Sequence, residues 1–467
     1  MNIFRLLPPI VMYLSALLGA VPLNAQDAPR LSVLQAEYNV WDATAEDITG
    51  DGVREVLLLT CDELARPLKK ELLIFVGDAE NQYPDAPSIR MPLPDTASVL
   101  FFAETDGMPP RELVAADAVG ARVYRYRDGE MRQIARHRFP SYFPYRSREP
   151  IFLKNGAKDL TGDGIEEWLI PAPEGYEIRR GDQRLALLPC DIAGEIRRGE
   201  SLYVINRFPA IQTFEMESSQ VKGLAFLSDE YADFFYGENW DAHKQYRIPL
   251  FVQEKWDSSA KMADITGNGF PDLVVTQTRG TINMQAVTHI YIASELFKYP
   301  EKPTATFNVR GGITSPQIID VDNDGMMDVL LISVPLGFKN FVNFFVRGKL
   351  AVNAEVYFFD GKTYGEKPAY SSSLLMDAPD GREQVAYAMG DFNGDGHLDL
   401  AMGKSSDAIV VHAGDPPRLI APRPWLTLDV PGFGVAQTVD IDDNNKKDII
   451  LMHPGGPNSR RVDIIVF

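Results

Sequence analysis

The feature that most constrains this chain is a nine-residue pattern that returns at a steady interval. It has an acid at position 1, a polar residue at 3, Asp or Asn at 5, usually Gly at 6 and an acid at 9. It first reads Asp47-Ile48-Thr49-Gly50-Asp51-Gly52-Val53-Arg54-Glu55, and it returns over 159–167, 264–272, 320–328, 391–399 and 440–448. The starts at 264 and 320 lie 56 residues apart, and those at 391 and 440 lie 49 apart. The gaps from 47 to 159 and from 159 to 264 are 112 and 105 residues, about two periods each. A worn copy is therefore expected in each. Glu104-Thr105-Asp106 with Glu112, and Glu215-Met216-Glu217, occupy those places without Gly at position 6. Eight starts result: 47, 104, 159, 215, 264, 320, 391 and 440.

Each copy runs into a short β-rich segment, such as Val56-Leu57-Leu58-Leu59, Leu273-Val274-Val275 or Val329-Leu330-Leu331-Ile332. Further strand-like segments follow, including Glu71 to Val76 and Ala121 to Tyr126. About four short strands per repeat, at a period near fifty, predict an all-β fold: a β-propeller of four-stranded blades. The repeat count favours eight blades. After Asp448 the chain has room for only two more strands, which with the one before Asp440 make three. Arg30 to Gln35 precedes the first motif and belongs to no complete blade, so it is expected to supply the missing strand. Pairing of the N- and C-terminal strands would then close the ring and leave no sheet edge exposed.

The pattern also carries chemistry. Oxygen-bearing side chains at odd positions of a tight loop can surround one hard cation, and position 7 would add its backbone carbonyl. Gly at position 6 allows the left-handed turn. Calcium accepts six to eight oxygens in flexible geometry, whereas magnesium demands a stricter octahedron. The expected ligands are Asp47, Thr49, Asp51 and Glu55; Asp159, Thr161, Asp163 and Glu167; and Asp264, Thr266, Asn268 and Asp272. Three further loops offer Asp320, Asp322, Asp324 and Asp328; Asp391, Asn393, Asp395 and Asp399; and Asp440, Asp442, Asn444 and Asp448. The 320 loop is richest in carboxylates, and the 47, 159 and 391 loops come next. The 264 loop has only two carboxylates, and in the 440 loop Asn445 replaces Gly, which Asn tolerates. The 104 and 215 copies are expected to stay empty. The same residues could instead form simple turns, Asp and Asn bonding their own backbone. An EF-hand is excluded, because position 12 is apolar (Leu58, Leu331, Met402) and falls inside a strand.

These residues resemble the FG-GAP/VCBS repeats of the integrin α-subunit propeller and of secreted bacterial proteins. Asp391 to Leu400 and Asp320 to Val329 carry the resemblance most closely. It implies a propeller with calcium in hairpin loops inside the blades, and an adhesion or binding role. Flanking Phe-Gly and Gly-Ala-Pro signatures are largely missing, with Met402-Gly403 and Phe433-Gly434 as faint echoes. Integrin-type propellers have seven blades, which remains the alternative to eight.

Composition narrows the partners. The net charge of −19 argues against nucleic acid and anionic membranes and suits cations. Residues 1–25 have the layout of a secretory signal peptide: Arg5, an apolar run from Leu6 to Ala20, and small residues ending at Ala25. The expectation is a mature domain over 26–467, secreted, periplasmic or at the cell surface, with no later membrane span. Two cysteines, Cys61 and Cys190, are too few for a disulfide scaffold.

Three segments stand apart from the repeat. Arg136 to Arg148 crowds basic and aromatic residues, suiting either an anionic-glycan clamp or an inter-blade connection packed by its rings. Phe338, Phe341, Phe344 and Phe345 with Arg347 and Lys349, in the longest repeat, suggest an extra hairpin or helix, or a protein-binding patch. Tyr231, Phe234, Phe235, Tyr236 and Trp240 read as strand core. His137, His243 and His397 are scattered over different repeats, and His397, at loop position 7, is expected to matter only through its backbone. No nucleophile elbow, paired-His motif or phosphate loop is present. The expected role is non-catalytic binding or adhesion, to an extracellular protein or glycan. A polysaccharide-cleaving, lyase-like enzyme and a purely structural part of a larger assembly are the alternatives.

Overall fold

A computed structural model describes residues 28–467 apart from 199–201, 217–218, 229, 248–255, 281–284, 311, 314–315, 335–347, 379–383 and 417. The leader-like stretch, Glu217 and the Phe338–Arg347 cluster therefore lie outside the described residues, while Lys349 opens a strand.

Eight antiparallel four-stranded blades form a ring, and no helix occurs among the described residues. Blades 1 to 7 span 39–93, 99–138, 157–188, 210–247, 257–310, 312–377 and 387–428. Blade 8 is built from Val435–Val439, Asp448–Met452, Arg461–Val466 and, from the far end of the chain, Arg30–Gln35. The terminal strands pair from Arg30↔Val466 to Gln35↔Arg461, which is the closure expected from the strand count.

The core is divided into wedges, one between each pair of neighbouring blades. The second strand of each blade lies between two wedges. In blade 1, Val56 and Leu58 face blade 8 while Leu57 and Leu59 face blade 2. A strand buried on both faces needs apolar residues at consecutive positions rather than alternate ones. Hence the unbroken runs that follow each motif.

Three features depart from a plain repeat. The first strand of blade 6 is broken into Gly312–Ile313 and Gln317–Ile319, both paired with Asp328–Val334. Two short hairpins lie outside the blades, Ala193–Arg198 with Leu202–Arg207 and Gly414–Asp415 with Arg418–Ile420. After blade 2 the chain runs back to add Ile151–Phe152 parallel to Val99–Ala103. The basic and aromatic segment supplies this connection. Its Phe139 and Phe143 are buried in the wedge between blades 2 and 3, and Arg146 pairs with Asp95 at 3.0 Å. The aromatic run of blade 4 is core as expected, with Phe234 and Phe235 fully buried. Both cysteines are free thiols.

Candidate metal centres in the blade loops

The nine-residue motif forms the hairpin between the first and second strands of a blade, and its closing acid starts the second strand. Position 6 turns left-handed in every full copy, with φ of 81° to 88° at Gly52, Gly164, Gly269, Gly325 and Gly396 and 68° at Asn445. A Cβ at Gly52, Gly164, Gly269, Gly325 or Gly396 would meet nothing within 4 Å, so the requirement is backbone conformation, not space.

The acids first organise the backbone. The position-5 oxygen accepts the amide of position 7 in all six full copies, from Asn444 with Lys446 at 2.7 Å to Asp163 with Ile165 at 3.0 Å. The position-9 acid accepts the amide of position 2: Glu55 from Ile48, Glu167 from Leu160, Asp272 from Ile265, Asp328 from Val321, Asp399 from Phe392 and Asp448 from Ile441. Where that acid is Asp, its second oxygen takes an amide near the end of the third strand: Ala293, Phe359, Gly414 or Phe467. These acids are fully buried, and burial pushes Asp272, Asp328 and Asp448 up to about 6 and Glu55 up to about 7. A cation in the loop would oppose that shift.

The turn-forming bonds leave some oxygens over. Asp322 Oδ1, Asp440 Oδ1, Asp442 Oδ1 and Thr266 Oγ1 are buried atoms without a hydrogen-bond partner. An uncompensated buried carboxylate oxygen is costly, by about 1–3 kcal/mol or more. Asp320, Asp322 and Asp328 each bring one oxygen within 4.8 Å of the others, as do Asp440, Asp442 and Asp448. Oxygens on opposite sides of calcium, each at about 2.4 Å, stand about 4.8 Å apart. The donor sets of the 320 and 440 loops therefore fit a hard divalent cation. Arg30 covers the other oxygen of Asp442 at 2.7 Å.

The remaining loops differ at position 3. Thr49 donates to Glu55 at 3.2 Å, and the Asn393 amide donates to Asp395 at 2.9 Å. The 264 loop differs at position 5 instead, where Asn268 Nδ2 donates to Ala293 O at 3.2 Å, while Thr266 at position 3 keeps its partnerless Oγ1. In the 159 loop a guanidinium occupies the cradle. Arg180 Nη2 reaches Thr161 Oγ1 at 2.9 Å and Asp163 Oδ1 at 2.8 Å, and its Nε reaches Glu167 Oε1 at 2.7 Å. The worn 104 copy is a true loop of the same kind, with Glu104, Asp106 and Glu112 drawn together. Arg125 enters it, its Nη2 2.7 Å from Asp106 and its Nε 2.6 Å from Glu112. The 215 copy is cut short: Met216 pairs directly with Ser219. The sequence pattern placed the acids but did not point to either arginine.

Adjacent loops are tied by the backbone. The position-8 amide of one blade donates to the preceding loop: Glu166 to Glu104, Lys222 to Leu160, Met327 to Ile265 and Lys447 to Asp391. His397 is engaged through its side chain as well as its backbone, since Nδ1 lies 2.9 Å from Asn323 Nδ2 of the 320 loop. A cavity of about 370 Å³ lies against the first strands of blades 6, 7 and 8, lined by Gln317, Gln384, Tyr387, Met389 and Thr438 among others.

Residues 264–331 match the FG-GAP-like repeat family. They cover the loop and second strand of blade 5 and reach the second strand of blade 6. No curated protein matches the chain significantly. Among solved structures, BBS1N in complex with ARL6DN, soaked with lead, is similar at 8% identity and a TM-score of 0.40, over 93% of this chain and 94% of that one. An Agrocybe aegerita lectin, described as recognising non-reducing terminal N-acetylglucosamine, is similar at 12% identity and a TM-score of 0.43, over 86% of this chain and 94% of that one. Neither likeness bears on what this chain binds.

Proposed function

We propose that this propeller is a calcium-loaded, non-catalytic binding module for an extracellular protein or glycan. One observation carries the calcium reading: the partnerless buried oxygens of Asp322, Asp440 and Asp442 in loops whose closing acids, Asp328 and Asp448, are already committed to backbone amides. Calcium would supply positive charge where carboxylates converge, and the chain's own residues do the rest. Position 5 shapes the turn, position 9 staples it to the blade, and position 3 of the 320 and 440 loops keeps an oxygen that a cation would take up. The leader-like residues 1–25 support export, to surroundings where calcium modules with Kd of about 0.1–1 mM operate.

The cavity at the first strands of blades 6 to 8 supports the glycan partner. Gln384 and Thr438 offer uncharged hydrogen-bonding groups, and Tyr387 is 45% exposed there. Such groups suit sugar hydroxyls and one sugar face. A polysaccharide-cleaving enzyme is not favoured. His243 is bound to Asp233, His412 to the Ala421 carbonyl and His453 to Asp463, each within its own blade. The test is an array of neutral and acidic glycans probed with the purified protein, with and without calcium, alongside a product assay. Retention without turnover is expected, and product release from any bound polysaccharide would overturn the non-catalytic reading.

A further inference from the structure

The loops of blades 2 and 3 differ from the others in one respect that is set on the third strand of the blade. The third strand runs beside the second, and one register position on it lies opposite the closing acid of the loop. In blade 2 the pairing Leu113↔Tyr124 puts Arg125 opposite Glu112. In blade 3 Trp168↔Arg179 puts Arg180 opposite Glu167. The same position is apolar in each other blade that has a closing acid. It is Val76 opposite Glu55, Ile292 opposite Asp272, Phe358 opposite Asp328, Ala413 opposite Asp399 and Val466 opposite Asp448.

The arginine contacts are those a loop cation would make. Arg180 meets the side chains of positions 3, 5 and 9 (Thr161, Asp163, Glu167), and its Nη2 also lies 3.5 Å from the position-7 carbonyl of Ile165. Arg125 meets positions 3 and 9, Asp106 and Glu112. Glu112 and Glu167 are both fully buried. A guanidinium is planar, permanently charged and able to donate to several oxygens at once, so it can neutralise the carboxylates without metal. Arg30 at the 440 loop does not do the same. It comes from the outer strand, holds one oxygen of Asp442 and leaves the other partnerless.

We propose that Arg125 and Arg180 are built-in replacements for the loop cation. Blades 2 and 3 then keep their hairpins without metal, and cation uptake is confined to the arc running from blade 5 through blade 8 to blade 1. This rests on the cation reading of the open loops. It makes the 159 loop a latent site: its oxygen set is complete, and an internal side chain fills it.

Replacing Arg180 by Met keeps most of the volume and removes the charge. Chelator-treated wild type and R180M would be titrated with calcium by calorimetry, with terbium luminescence as a second readout. R180M is expected to take up one more cation per chain than wild type, and calcium should raise its melting temperature by more. The reciprocal variant V76R puts a guanidinium opposite Glu55 and should take up one cation fewer. It decides the matter if R180M fails to fold. Uptake by wild type with an unchanged number in R180M, or in V76R where that variant decides, overturns this inference alone. No uptake by wild type or either variant overturns the cation reading, and this inference falls with it.

Discussion

At the scale of single residues, the loop acids divide their work by position, and each position fails differently when removed. Asp322 at position 3 makes no bond through Oδ1 and has no backbone to hold, so its charge is a burden until a cation arrives. Asp322→Ala should therefore melt no lower than wild type in chelator. It should also lose most of the calcium-induced rise, which for one site at one hundred times its Kd is worth about 2.7 kcal/mol. Scanning calorimetry in both buffers checks this, and a lower melting temperature in chelator would show that Asp322 has a structural role. Asp399 at position 9 is the opposite case. Its oxygens hold the amides of Phe392 at 2.9 Å and Gly414 at 2.7 Å inside the fold. Asp399→Ala leaves the buried Phe392 amide and the half-buried Gly414 amide without that acceptor and should cost about 2–5 kcal/mol, with or without calcium.

At the scale of elements, a hairpin loop of nine residues is nearly self-contained, and so it could be read from the sequence. Its turns, its left-handed residue and its closing acid all lie within a few residues of one another, and the apolar run behind it reports a strand buried on both faces. What came from register could not be read in that way. Arg125 and Arg180 each lie 13 residues beyond the closing acid they meet. That offset is a signal only once the turn between the second and third strands is known. Blade 4 shows the same limit: the spacing located the blade, but the tight pairing Met216↔Ser219 removed the loop expected there. The strand Ile151–Phe152 was hidden because it follows no motif, although the inter-blade connection expected of the basic and aromatic segment before it is what the chain forms. The wedges give this scale its own prediction. Leu58, fully buried between blades 8 and 1, should cost about 2–5 kcal/mol when cut to Ala, measured by denaturant unfolding.

At the scale of the whole molecule, the ring is a chain of equal joints, and one joint is made by the termini instead of by chain continuity. Every other blade takes its four strands from one continuous stretch of chain. Blade 8 depends on Arg30–Gln35 for its outer strand, with Leu34 fully buried in the wedge shared with blade 1. Removing the chain up to Gln35 exposes the ladder edge of Arg461–Val466 and uncovers apolar surface next to it. An open edge of this kind pairs with whatever strand is offered. The truncated protein should melt lower than wild type and associate as its concentration rises, which calorimetry and sedimentation would detect. A synthetic peptide covering residues 28–37, added in excess, should restore both properties by adding the strand back in trans. A scrambled peptide of the same composition should not, because Leu34 and Ser32 must face inward while Leu31 and Gln35 face out. If the truncated chain melts like wild type and stays monomeric, the eight joints do not depend on the terminal pair, and the wedges alone hold the ring closed.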